Sequence, residues 1–218
     1  MEQRSEEWFT ARLGKVTASR IADVCARTKH GWAASRKNYM HDLIVERLSG
    51  VHVPTGTGAA RRWGQEVEPE AKIAYEFYRD ATIVEAGFIP HPTIADTGAS
   101  PDGLVGDDGL VEFKCPTLSV HLETLQSDEV APEYVLQMQW QMACTGRQWC
   151  DFASYDPRFP EAMRLYVSRL QRDDAVIGAL EKDVTDFLAE VRRTVDLLNA
   201  KFGIHSDEPE AVRLLMAG

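Results

Sequence analysis

The stretch Ser100-Pro101-Asp102-Gly103-Leu104-Val105-Gly106-Asp107-Asp108-Gly109-Leu110-Val111-Glu112-Phe113-Lys114-Cys115-Pro116 constrains the fold more than any other part of the chain. Leu110 to Lys114 alternates apolar and charged residues between Gly109 and Pro116, as a half-buried strand does. Glu112 and Lys114 therefore leave a sheet on one face, and Val111 and Phe113 on the other. Gly106 to Gly109 is turn chemistry, and a hairpin folded there returns Asp102 to the side of Glu112. Two carboxylates and one ammonium then converge. Hard divalent cations such as magnesium take oxygen ligands and need few protein carboxylates when a substrate phosphate supplies the rest, while a neighbouring lysine can orient a water or offset developing charge. The set suits hydrolysis of a phosphodiester.

The bare spacing is not specific, because an Asp followed about ten residues later by acid-x-Lys arises by chance on the order of once in a chain of this length. A surface hairpin with solvated charges meets the same pattern, so the remaining sequence has to discriminate. With 218 residues, 44% of them hydrophobic, one substantial core is expected, read as one domain over residues 1–205 with a short tail at 206–218. The opening Met1 to Trp8 lacks the basic-then-apolar order of a signal peptide, and no segment approaches the ~18 apolar residues of a membrane span, so a cytoplasmic location without membrane contact is expected. Cys25, Cys115, Cys144 and Cys150 form no Cys-x-x-Cys pair and the histidines show no ligand spacing, which argues against zinc and iron-sulfur centres. The net charge of -10 is unusual for a protein that handles nucleic acid. Residues 1–62 nevertheless hold 11 Lys/Arg against 6 Asp/Glu, so basic charge is concentrated at the front, and a local groove can bind a polyanion.

Along the chain, a helix over Trp8 to Leu13 ends at Gly14 and a second begins near Thr17-Ala18-Ser19, where Arg12 and Ser19 could hold a phosphate at the helix start or simply be a surface arginine and a cap. Thr28 to Asn38, basic around Trp32, reads as a loop on a nucleic-acid strand or as a solvated one. A helix over Ser35 to Leu48 carries Met40, Leu43, Ile44 and Leu48 on its apolar stripe, and another over Trp63 to Arg79 turns Val67, Ala71, Ala74, Phe77 and Tyr78 inward, with Glu66, Glu68 and Glu70 in its first turns. Strands are expected over Thr82 to Pro90 and Thr93 to Ala99, ahead of the hairpin. Glu133 to Thr145 reads as a helix in which Gln137 and Gln141 share a face and Gln139 does not, a face lined by substrate or merely exposed. Strands over Trp149 to Tyr155 and Met163 to Leu170 complete a mixed sheet, and Asp173 to Phe202 is a long amphipathic helix stopped by Gly203.

Five separated blocks in this order resemble the phage lambda-type exonucleases, or YqaJ-like viral recombinases, a branch of the PD-(D/E)XK nuclease superfamily. They are Glu7-Trp8 with Ala11-Arg12 through Thr17-Ala18-Ser19; Trp63-Gly64 with Glu68; Ser100 to Leu104; Glu112 to Pro116; and Gln137-Met138-Gln139 with Tyr155-Asp156-Pro157-Arg158. The resemblance implies an α/β (α+β) restriction-endonuclease-like fold, a mixed sheet flanked by helices. It implies that Asp102, Glu112 and the Phe113 carbonyl bind magnesium or manganese, with two ions per site, that Lys114 positions the attacking water, and that Glu68 and Gln137 support them. It places Arg12, Ser19 and Ser100 at the 5'-phosphate of a DNA end. The implied activity is 5'-to-3' digestion of one strand of linear duplex to mononucleotides, leaving a 3' overhang. The implied partners are double-stranded DNA ends, a single-strand annealing protein and two further copies in a ring-shaped homotrimer, in a phage or prophage setting within a bacterial host. Arg61-Arg62 departs from the family, which places apolar residues before Trp63, and the Thr28 to Asn38 loop is only loosely similar.

Other readings share these residues. An endonuclease of the same superfamily would keep the site, a RecB-type iron-sulfur nuclease would need four arranged cysteines, and a non-catalytic DNA-end-binding factor would have no evident need for two carboxylates beside a phosphate.

Overall fold

The computed structural model describes residues 3–54 and 58–204, so the expected tail at 206–218 lies outside the described residues, as does the Arg61 side chain. The chain begins with α1 (Glu6–Arg12), where the Ser5 hydroxyl caps the helix by accepting from the Trp8 amide. Then come β1 (Val16–Thr17), a 3-10 turn over Ala18–Arg20 and α2 (Ile21–Cys25). A small ribbon of β2 (Arg27–Thr28) and β3 (Gly31–Trp32) leads into α3 (Ala34–Ser49) and α4 (Gly58–Arg79). The short strands β4 (Ile83–Val84), β5 (Ile89–Pro90) and β6 (Thr97–Ala99) precede the hairpin of β7 (Gly103–Val105) and β8 (Gly109–Lys114). The remainder is α5 (Leu118–Ser127), α6 (Pro132–Thr145), β9 (Trp149–Tyr155), β10 (Leu165–Gln171) and α7 (Asp174–Phe202).

The main sheet has the order β10-β9-β8-β7-β4, with β8 and β9 parallel and the other pairs antiparallel. A smaller sheet, β1-β6-β5, carries the segment leading to Ser100. The period-2 alternation of β8 sends its two sets of side chains to opposite faces as expected, but the strand is buried on both faces rather than half-buried, because helices cover each side. Leu110 joins a large cluster with Phe152, Met138, Trp140 and α7 residues such as Val184, Phe187 and Val191. Val111 and Phe113 face the other way and pack with Val67, Ala71 and Tyr75 of α4. Gly103 sits where these layers close: a Cβ there would lie 2.2 Å from Ile83 Cγ2 and 3.0 Å from Val111 Cγ1. The residue after Asp102 therefore has to be glycine for the hairpin to lie against β4.

The structure corrects several local expectations. Phe77 and Tyr78 are 92% and 62% exposed rather than inward, because the buried stripe of α4 runs Val67, Ala71, Tyr75 at four-residue spacing and Phe77 falls on the opposite side. Leu48 is likewise exposed. The expected strands over Thr82 to Ala99 are only β4, β5 and β6; between the last two, the chain turns around His91, whose Nδ1 accepts from the Thr93 and Ile94 amides. The segment Thr28 to Asn38 is not a loop but part of the β2–β3 ribbon and the start of α3. Trp32 lies between the guanidinium groups of Arg27 and Arg36, at 3.8 and 3.9 Å. Arg36 in turn pairs with Glu190 and Arg27 with Asp183, both on α7.

Candidate active site

Hairpin register places Gly103 opposite Val111, which brings the preceding Asp102 level with Glu112. Asp102 Oδ2 accepts the Phe113 amide at 2.8 Å, so the carboxylate is held against the backbone of β8. Glu112 is 3% exposed and both its oxygens are engaged. Oε1 accepts from Lys114 Nζ at 2.7 Å and from Gln137 Nε2 at 2.6 Å, and Oε2 accepts from Gln141 Nε2 at 2.6 Å. Lys114 also donates to Gln137 Oε1 at 3.2 Å. Two side chains spaced one helical turn apart on α6 thus grip one carboxylate from beneath. The glutamines are buried rather than exposed, and Gln139, pointing elsewhere as expected, bonds the Gln171 carbonyl and the Asp173 amide.

The electrostatics have one sign problem that a cation would solve. Burial, then the like charges of Glu112 and Glu68, hold the Asp102 carboxyl well above the usual carboxylate range. Burial works against the Lys114 ammonium, but the charges of Glu112 and Asp102 and the bond to Glu112 overcome it, so Lys114 stays protonated above the ordinary lysine range. With one ammonium among the converging carboxylates, Asp102 and Glu112 are ionised together only where further positive charge is supplied. The Asp102 and Glu112 carboxylates are hard oxygen donors of the kind that a magnesium-like ion takes, an ion that needs few carboxylates and completes its shell with water and phosphate. Among the described residues no three His, Cys, Asp or Glu side chains cluster as a metal cage. Glu68, whose charge acts on Asp102, is itself engaged by two cations: Arg4 Nη2 donates to its Oε2 at 2.5 Å, and Lys72 Nζ lies 3.3 Å from its Oε1.

Lining the same cavity as this set, Arg12 Nη1 and Trp8 Nε1 each donate to Ser100 Oγ at 3.0 Å, and the guanidinium lies 4.0 Å from the Trp8 ring centre. Burial pushes the Arg12 pKa down to about 10 despite Tyr39 and Glu46, which favour the charged form. Among the described residues Arg12 has no ion-pair partner, a desolvated cation whose ligands are a hydroxyl and an aromatic face. Ser19 Oγ lies 3.4 Å from Thr17 Oγ1 within the 3-10 turn. The expected helix start is therefore a tight turn running into a short helix, and the anion-seeking charge comes from Arg12 rather than a helix dipole. A cavity of about 190 Å³ joins the two walls, lined by Arg12, Ser19 and Ser100 on one side and Asp102, Glu112, Lys114 and Gln137 on the other.

Three contributors have no role assigned to them by the sequence alone. Gln141 carried a signal, its four-residue spacing from Gln137. Trp8 stands in the first block of the family resemblance, but its role does not follow from that, because its partner Ser100 is 92 residues away; Arg4, whose partner Glu68 is 64 residues away, carries no signal. Trp63, by contrast, explains its place in the motif. Its Nε1 donates to the Pro116 carbonyl at 3.2 Å and its ring lies 4.1 Å from the Arg158 guanidinium, tying α4 to the end of β8.

The crystal structure of an alkaline exonuclease, LHK-Exo, from Laribacter hongkongensis is 52% identical to this chain, covers 91% of it and 98% of its own length, and superposes with a TM-score of 0.85. The same enzyme in complex with dAMP gives 0.86. A phage-related exonuclease from Haemophilus somnus 129PT, 15% identical, covers 84% of this chain and 96% of its own with a TM-score of 0.70, and shares the fold. None of the curated proteins compared with the chain matches it. Residues 7–148 match the YqaJ-like viral recombinase domain, a span that holds every residue of the cavity walls named above, and the chain belongs to that family.

Proposed function

We propose that this chain is a metal-dependent exonuclease that digests one strand of linear duplex DNA from its 5' end, releases mononucleotides and leaves a 3' overhang. The observation that carries the proposal is the shared cavity: Arg12, Ser19 and Ser100, suited to an anion, line the same space of about 190 Å³ as Asp102, Glu112 and Lys114. A terminal phosphate held at one wall sets the next phosphodiester at the other, a geometry suited to chain ends. The relative that binds dAMP, a 5'-mononucleotide, supports the same class of product.

Asp102, Glu112 and the Phe113 carbonyl would hold magnesium or manganese, which supplies charge neutralisation at the phosphate and a lowered pKa for water. Two ions per site fit this reading only if the second leans largely on substrate oxygens, since Glu68 is engaged by Arg4 and Lys72. Glu112 is locked in one rotamer by Gln137 and Gln141, so the donor geometry exists before substrate arrives. Lys114, held protonated, donates rather than accepts: it orients the attacking water and offsets the charge that grows on the phosphate oxygens. Arg12 and the Ser19 and Ser100 hydroxyls orient the end by its 5'-phosphate, with Trp8 fixing Ser100. An overhang left in this way is the substrate of a single-strand annealing protein. A ring-shaped homotrimer would keep the enzyme on its DNA. Among the described residues no helix is long and apolar enough to cross a membrane.

The test is digestion of linear duplex bearing 5'-phosphate or 5'-hydroxyl ends, with magnesium or with chelator, followed by sizing of products. Mononucleotides formed only with metal, and faster from phosphorylated ends, are expected. Cleavage of covalently closed circles would refute the exonuclease reading in favour of an endonuclease, and DNA-end binding without any products would favour a non-catalytic factor.

A further inference from the structure

The segment just before α1 has a feature that the roles above do not use. Arg4 is a non-glycine residue in the left-handed region, at φ 69°, a conformation that side-chain-bearing residues occupy rarely and keep only where surroundings enforce it. The enforcing contacts are visible. The Gln3 carboxamide donates to the Ala86 carbonyl at 2.9 Å and to the Pro101 carbonyl at 2.7 Å, pinning the segment beside Asp102. Arg4 is thereby aimed at the cavity that contains Asp102, Glu112 and Lys114, and also lines an adjoining one of about 130 Å³ with Glu68 and Asp102.

Its visible partner does not account for the guanidinium. Glu68 already has Lys72 as a second cation, 3.3 Å away. A guanidinium carries five N–H donors in a rigid fork, and among the described residues Arg4 uses one site, Nη2 toward Glu68. Its side chain is 46% exposed, so the remaining donors are open to a ligand. The fork geometry matches the paired non-bridging oxygens of a phosphodiester. Arg12 holds the other wall through Ser100, whereas Arg4 is bonded on the carboxylate side, next to Asp102.

We propose that Arg4 forms a second phosphate subsite, for the phosphodiester that is cut, distinct from the subsite for the terminal 5'-phosphate at Arg12, Ser19 and Ser100. This rests on the exonuclease reading. The subsite serves to keep the scissile phosphate against the carboxylate wall once the end is seated. The pairing with Glu68 holds the guanidinium in position when DNA is absent.

The test uses the full chain in an Asp102→Asn background, where binding is read without turnover, and compares Arg4→Ala and Arg4→Lys by anisotropy of labelled duplex across a salt series. Loss of one phosphate contact lowers the slope of log affinity against log salt by about 0.9. Arg4→Ala is expected to lose that much and to bind about tenfold more weakly, by the same factor on 5'-phosphate and 5'-hydroxyl ends. Arg4→Lys is expected to recover the slope, because it restores the charge. An unchanged slope in Arg4→Ala overturns the proposal, and so does a loss confined to 5'-phosphorylated ends, which would assign Arg4 to the terminal phosphate. The two readings fail separately. If the unsubstituted chain releases no nucleotides, the exonuclease reading fails; if it does and Arg4→Ala digests and binds as it does, only the second subsite fails.

Discussion

Replacing Gln141 by leucine keeps most of the volume at a fully buried position and deletes one donor to Glu112 Oε2, now held at 2.6 Å. Glu112 cannot turn to water instead, being 3% exposed. A hydrogen bond to a charged group contributes roughly 1.5–3 kcal/mol, and for a chain of this size each kcal/mol moves the melting temperature by about 2–4 °C. The metal-free variant should therefore melt about 6 °C lower. Magnesium adds a second term. Loss of a group that orients a metal ligand typically lowers metal affinity about 10- to 100-fold, which at a concentration saturating the parent widens the gap by about 1.4–2.7 kcal/mol. The assay is thermal denaturation of both proteins by circular dichroism, with chelator and across a magnesium titration. A difference that is the same at every magnesium concentration would show that Gln141 only fills the core. A difference that closes would show that the cation and the amide compete for Oε2, and either result would refute the argument that Gln141 preorganises the ligand.

Alanine at Asp102, Glu112 or Lys114 should each abolish digestion, by about 10²–10³ or more in rate, with secondary structure retained by circular dichroism; substantial activity in any one contradicts that residue's role. Arg12→Ala should remove the preference for 5'-phosphate over 5'-hydroxyl ends in a competition digest while leaving the slower hydroxyl reaction nearly unchanged. A preserved preference would dissociate Arg12 from the terminal phosphate. His91 is neutral in the fold, because burial lowers its pKa more than Glu181 raises it and its Nδ1 already accepts two amides. The unfolded chain then binds the extra proton first, so this contribution to stability is complete above about pH 6.5 and is lost as pH falls below it. Urea midpoints between pH 7 and pH 5 should fall more steeply in the parent than in His91→Phe, and parallel slopes would contradict the assignment.

Those parts of the molecule with a short sequence period were legible. β8 was readable because two-residue alternation and a Gly-bounded turn determine both its faces and its pairing with Asp102, and α7 because its stripe from Ile177 to Val191 repeats over many turns. Glu112 and Lys114 followed from the strand alone. What a period cannot supply is the partner across the fold. The face shared by Gln137 and Gln141 was visible, but not that it turns inward, since that depends on a carboxylate 29 residues away. The sequence overextends β5 and β6 because the turn between them is set by His91, whose Nδ1 accepts the Thr93 and Ile94 amides. Phe77 lies outward because a four-residue stripe and a three-residue one diverge within two turns, and Tyr75, which donates to the buried Asp151 at 2.8 Å, takes the inward place.

Helix α6 has a double duty with a consequence for how substrate enters. Its Met138, Trp140 and Met142 are the centre of the larger apolar cluster, and the same turns hold Glu112 through Gln137 and Gln141. The Glu112 carboxylate cannot shift without disturbing a helix whose residues Gln137 to Cys144 are all buried, so the α6 amides should be among the slowest to exchange with solvent. On the exonuclease reading, adaptation to a DNA end then falls on the nucleic acid, with the duplex fraying to fit a rigid anvil.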